Sequence, residues 1–157
     1  MTRERPSVRG MSGVEDEATT LLVVAGAHLR GEPLHPSLLA LGARFVRATR
    51  TSPEYRMVAL PALDGSGGVP VVPPRPGLVR DPARGGALEV EIYELPVAAL
   101  GRLLLTVAPP LAIGTVALAD GSAAPGFVCE GYAAGAVPDI SAYGGWRGYL
   151  AAATRTD

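Results

Sequence analysis

Side chains that titrate or react near neutral pH are few in this sequence: two histidines, His28 and His35, and one cysteine, Cys129. Two histidines seven positions apart, with the thiol far downstream, match no recognised ligand spacing for zinc, so neither a metal nor another cofactor is expected. Every basic residue is an arginine, and the absence of lysine removes Schiff-base chemistry. No Gly-x-Ser-x-Gly elbow occurs, and Gly65-Ser66-Gly67-Gly68 lacks the lysine of a phosphate-binding loop. Cys129 lies in an apolar strand pattern, where a thiol packs rather than attacks.

What remains is the stretch "LLVVAGAHLRG". Its apolar run, residues 21–25, reads as a strand buried on both faces and ended by Gly26. The turn that follows, residues 26–31, exposes successive backbone N–H groups that no ladder occupies, a concave donor set suited to a carboxylate or a developing oxyanion. Within it His28, with an ordinary pKa of about 6.5, is placed for proton transfer; the alternative is that it bonds a neighbouring carbonyl and fixes the turn. His35, just before Pro36, is helix punctuation. Arg56 offers a fork matched to a carboxylate. Glu89 and Glu91 are surface acids if their strand face meets water, and an acid or base of raised pKa if it lines a pocket. Trp146 is expected as a core anchor, and the Tyr143-Gly144-Gly145-Trp146 segment as either core or a homodimer contact.

The elements that must position these groups follow from periodicity and punctuation. After the first strand comes a short helix over residues 36–41, with proline in its first turn and Gly42 past its end. Strands are expected at 45–51 and 55–60, then an irregular Pro- and Gly-rich loop over 61–76 and a brief strand or turn at 76–79. Residues 87–95 alternate, with Leu88, Val90 and Ile92 on one face and Glu89, Glu91 and Tyr93 on the other. A helix over 96–107 stops at Pro109-Pro110, strands at 114–118 and 126–130 flank a turn at 119–122, and "PDISAYGGWRGYLAAA" ends in a helix. Six or seven short strands with two to four helices make a mixed α+β domain.

With 157 residues, 48% apolar and 18% charged, there is room for one core. A net charge of -1 gathers neither nucleic acid nor an acidic membrane. Residues 1–19 read as a flexible leader, 20–152 as the domain and 153–157 as a flexible tail; with no export signal or spanning run, a cytoplasmic protein is expected.

Seven stretches in order, "AGAHLRGEPL", "LGARFVRATRTSPEYRMVALP", "RPGLV", "ALEVEIYELP", "APPLAIGTVALADG", "GFVCEGYA" and "DISAYGGWRGYLA", resemble the C-terminal domain of allophanate hydrolase. The resemblance implies a γ-glutamylcyclotransferase-like fold, a small β-barrel with peripheral helices whose first turn holds a substrate carboxylate or carbonyl. Gly26-Ala27-His28-Leu29 occupies that turn. In the complete enzyme an amidase domain first hydrolyses allophanate, and the C-terminal domain carries the carboxylated product on to decarboxylation. The implied role is second-step decarboxylation of a small N-carboxylated urea- or carbamate-like acid, with His28 as catalytic proton donor. Gly26, Ala27, Leu29, Arg30, Tyr55, Arg56, Gly77 and Glu91 are the candidate substrate-binding residues. The amidase part is absent from this sequence, so a separately encoded amidase is the implied partner protein. Two alternatives stand beside this: a non-catalytic assembly partner of that amidase, and a cyclotransferase-like activity. Against the latter, residues 105–109 hold no carboxylate where cyclotransferases place theirs.

Overall fold

A computed structural model describes residues 18–155. Of the expected leader only Ala18 and Thr19 fall among them, and the last two residues of the expected tail also lie outside.

The apolar run forms β1 (Thr19–Val24), whose last three residues are buried. After a turn, Pro36 sits in the first turn of α1 (His35–Ala40). The chain continues through β2 (Arg44–Arg50), β3 (Tyr55–Leu60), the two-residue strands β4 (Leu63–Asp64) and β5 (Val71–Val72), and β6 (Arg75–Arg80). Next come β7 (Glu89–Pro96) and α2 (Val97–Leu104), whose first position follows Pro96 as a chain stop for the strand. The hairpin β8 (Leu111–Ala117) and β9 (Ala123–Cys129) leads to a single turn, α3 (Gly131–Ala134), and to α4 (Trp146–Thr154).

Five strands form one sheet in the order β2-β7-β1-β9-β8, with β3-β6 and β4-β5 as separate pairs. The architecture is mixed α+β, as expected, but the barrel is not closed along its length. The sheet curls until its two edges meet at one end only: Thr51 bridges Leu118, Ser52 N–H donates to Ala117 O at 2.9 Å, and Ala119 N–H donates to Arg50 O at 3.0 Å. The β3-β6 pair closes over the curled sheet, and the Tyr55 hydroxyl accepts the Ala117 N–H at 2.9 Å. The core between them holds Leu22, Val24, Met57, Leu78, Val90, Ile92, Ala99 and Trp146. Trp146 is therefore core, whereas Tyr143 is exposed.

Two expectations need correction. The loop over 61–76 is not wholly irregular, because β4 and β5 pair across a glycine-rich turn. Strand β7 has no solvent face along most of its length: Glu91 and Tyr93 are as buried as Val90 and Ile92. Alternation reports two chemically different faces, and here the second is covered by the turn after β1 and by α4.

Close packing decides one further position. Gly126 faces Val23 in the parallel β1-β9 pair, and a Cβ there would lie 2.8 Å from Val116 Cγ2 and 2.9 Å from Val23 O. Backbone cannot yield as a flexible side-chain tip can, so Gly126→Ala should destabilise the fold by about 1–3 kcal/mol, read as a lower urea midpoint. An unchanged midpoint would contradict this packing.

Candidate functional site

The turn after β1 is fixed by its own backbone and from behind. Leu29 N–H donates to Gly26 O at 2.9 Å and Leu34 N–H to Ala27 O at 2.8 Å. Arg30 N–H donates to Glu91 Oε1 at 2.8 Å, and Arg30 Nε to Glu91 Oε2 at 3.1 Å. From α4, Arg147 donates to Arg30 O at 2.6 Å and reaches Glu91 Oε2 at 3.4 Å. Gly26 lets the turn lie against β6, since a Cβ there would fall 2.0 Å from Pro76 Cδ. These bonds consume the Leu29 and Arg30 N–H groups. Those of Gly26, Ala27 and His28, residues that line the recess described next, find no acceptor among the described residues.

A cavity of about 410 Å³ opens beside the turn, with a smaller recess of about 40 Å³ against Ala25, Gly26 and Ala27. His28, Leu34, Arg75, Leu111 and Phe127 line both, so the two are one site with an inner end at the turn. Its walls are mainly apolar, from α1, β5, the end of α2 and β9. Two arginines, Arg75 and Arg102, face it, and among the described residues no aspartate or glutamate does.

Arg75 is the unusual group. It is only 6% exposed, and its single side-chain hydrogen bond runs from Nη1 to Pro61 O at 2.8 Å. Among the described residues no carboxylate pairs with it, whereas Arg30, Arg44, Arg47, Arg56, Arg80 and Arg147 all have acidic partners. Burial pushes its pKa down, but a guanidinium remains charged. Its other donor nitrogens are not sealed away, since among the described residues no fully buried side-chain nitrogen or oxygen lacks a partner, and an anion in the cavity would meet a guanidinium that no carboxylate has claimed.

His28 stacks on Phe127 with ring centroids 5.0 Å apart and planes 10° from parallel, and no hydrogen bond from the described residues holds its imidazole. Its pKa is pushed down to about 4, first by burial and then by the charge of His35. The ring is therefore neutral at pH 7. The turn-fixing alternative is not what the geometry shows, since the backbone fixes the turn without the ring.

The structure brings Gly26, Ala27 and His28 together at the cavity and leaves the other candidates outside it. Leu29 is core. Arg30 lies over the Phe45 ring at 3.9 Å, with its Nε on Glu91. Arg56 is spent on Asp81 and Asp139, each at 2.9 Å. Tyr55, the first residue of β3, is buried with its hydroxyl taken by the Ala117 N–H, and Gly77 packs against Cys129. Glu91 is neither a surface acid nor a carboxyl of raised pKa. Burial alone would raise it, but the Arg30 N–H and guanidinium bonds and the charge of Arg147 outweigh burial and hold it below the usual range. Sequence reasoning missed Arg75, Arg102 and Phe127. The one signal available was an arginine ending a Pro-rich, nearly uncharged stretch, a hint of a cation without an acid nearby.

The described residues define a small α+β protein of the γ-glutamylcyclotransferase-like fold, which a γ-glutamyl cyclotransferase structure shares at TM-score 0.51 and 13% identity. Residues 20–151 match the model of the allophanate hydrolase C-terminal domain, and the chain belongs to that family. It is 39% identical over 138 residues to the urea amidolyase of Saccharomyces cerevisiae, covering 86% of this chain and 7% of that protein. Kluyveromyces lactis allophanate hydrolase aligns at 34% identity and TM-score 0.74, over 85% of this chain and 21% of that one. A uropathogenic E. coli-specific protein aligns at 34% identity and TM-score 0.72, over 85% of this chain and 97% of that one. The domain thus occurs within much larger proteins and also as nearly the whole of a solved chain. No helix among the described residues is long and apolar enough to cross a membrane.

The state of His28 is directly measurable. In the ligand-free protein its imidazole resonances should titrate with a midpoint near about 4. Because the folded pKa lies below the unfolded value of about 6.5, the stability tied to a neutral His28 is complete above that pH. It declines as the pH falls through this window, so His28→Ala should be less acid-sensitive over it. A midpoint near 6.5 would contradict the burial described.

Proposed function

We propose that this cavity binds a small N-carboxylated urea- or carbamate-like acid and decarboxylates it. The observation that carries this reading is Arg75, a buried guanidinium without a carboxylate partner on the wall of an acid-free cavity that also holds His28. Family membership supplies the context, since relatives are named urea amidolyase and allophanate hydrolase. A cyclotransferase reaction that needs a carboxylate as acid or base finds none lining the cavity.

In decarboxylation the bond between nitrogen and the carboxylate carbon breaks, its electron pair stays on nitrogen, and nitrogen gains a proton as CO2 leaves. Interactions that grip the reacting carboxylate oppose its neutralisation, and only those that strengthen in the transition state accelerate the step. Arg75 and the free N–H groups of Gly26 to His28 therefore hold the second carboxylate or carbonyl. The reacting carboxylate lies against Leu111, Leu34 and Phe127, where loss of charge is favoured. A bound carboxylate close to His28 raises the ring's affinity for a proton, so the acid is generated by the substrate itself. An amidase acting on allophanate would supply the substrate.

Two results test the reading. Coupled to an amidase that generates the N-carboxylated product, His28→Ala should release CO2 at least about 100-fold more slowly at saturation. Arg75→Met should chiefly raise KM, by about tenfold or more. A His28→Ala protein with full turnover would sink the mechanism. In the unsubstituted protein, saturating malonate should move the His28 titration upward from about 4, and an unmoved midpoint would exclude a carboxylate beside the ring.

A further inference from the structure

The proposed substrate has only a handful of non-hydrogen atoms, yet the cavity measures about 410 Å³, within the range of roughly 300–1,000 Å³ that takes drug-sized ligands. The inner end, with Arg75, His28 and the turn, already provides what a small acid needs. The remainder is an outer chamber between α1, the end of α2 and the β4-β5 ribbon, walled by Leu41, Val71, Val72, Leu103 and Val107. Val71, 77% exposed, stands at its mouth and adds apolar surface there. A cation at the closed end and hydrocarbon walls toward the open end form the complement of an amphiphile.

We propose that this site also binds straight-chain monocarboxylates of medium length, the carboxylate on Arg75 and the alkyl tail along the outer chamber. The proposal rests on Arg75 as the anion anchor of the preceding reading and adds a second class of ligand. Because both ligands need the same guanidinium, an alkanoate excludes the small substrate and inhibits competitively. Arg102, exposed at the chamber and without an acidic partner among the described residues, leaves the mouth cationic and aids capture of the anion.

The test is a calorimetric series of acetate, butanoate, hexanoate and octanoate on the whole chain, with malonate measured in parallel. Burying a methylene should tighten binding about fourfold, so affinity should climb from acetate to hexanoate and level off once the chamber is full. Val71→Asp should weaken octanoate by tenfold or more and leave malonate unchanged. A flat series would overturn the inference, as would octanoate binding that survives Arg75→Met, which would mark adsorption elsewhere. The two readings fail separately. Malonate binding and CO2 release with a flat alkanoate series would leave only the small-acid function; a rising series without CO2 release would leave only the amphiphile site.

Discussion

The buried carboxylate of Glu91 organises the site without entering it. From the middle of β7 it accepts the Arg30 N–H and guanidinium, the weaker reach of Arg147 and the Tyr93 hydroxyl at 3.3 Å. A lone buried acid would be expensive, and this one is stable because two guanidiniums and a backbone donor converge on it. The consequence is geometric. Arg30 is held through its N–H by β7 and through its carbonyl by α4, so the turn from Gly26 onward has one shape. The free N–H groups and the stacked His28 ring follow from that shape, and α4, remote in sequence, becomes part of the site's support.

Around this fixed turn charge is distributed unequally. On the supporting side Arg30 and Arg147 are answered by Glu91, and Arg56, also away from the cavity, by Asp81 and Asp139. On the cavity side Arg75 is buried with one neutral acceptor, and His28 is desolvated without a hydrogen bond from the described residues. The support behind the turn is internally paired, whereas the cavity side presents a guanidinium with no acidic partner among the described residues, the pattern expected where a ligand completes the electrostatics. The Tyr93 hydroxyl, pushed up to about 12 by burial and by the Glu91 charge, remains a neutral donor in the support rather than a reactive group.

Much of this architecture could be read from the sequence because the strands announce themselves by apolar runs and turn chemistry. The buried run of β1, the helix start at Pro36 and the β8-β9 hairpin are local decisions. A turn at the end of the strand with His28 in it was likewise legible as a local feature, whereas the internal use of the Leu29 and Arg30 N–H groups was not. Long-range pairings were not. Arg56 looked like a free fork because Asp81 and Asp139 are distant in sequence, and Glu91 looked like a surface or pocket acid because Arg30 and Arg147 are too. Arg75 escaped notice for the converse reason, as its significance is the absence of a partner, which only the folded chain reveals.

The account depends on a small dianion meeting Arg75 at the inner end of the cavity, and a crystal structure of the chain with malonate would test that most directly. The prediction is a malonate carboxylate within hydrogen-bond distance of the Arg75 guanidinium and of at least one N–H among Gly26, Ala27 and His28, with the other carboxylate beside the imidazole. Malonate bound only at exposed Arg102, or nowhere in the cavity, with Arg75 still on Pro61 O alone, would contradict it.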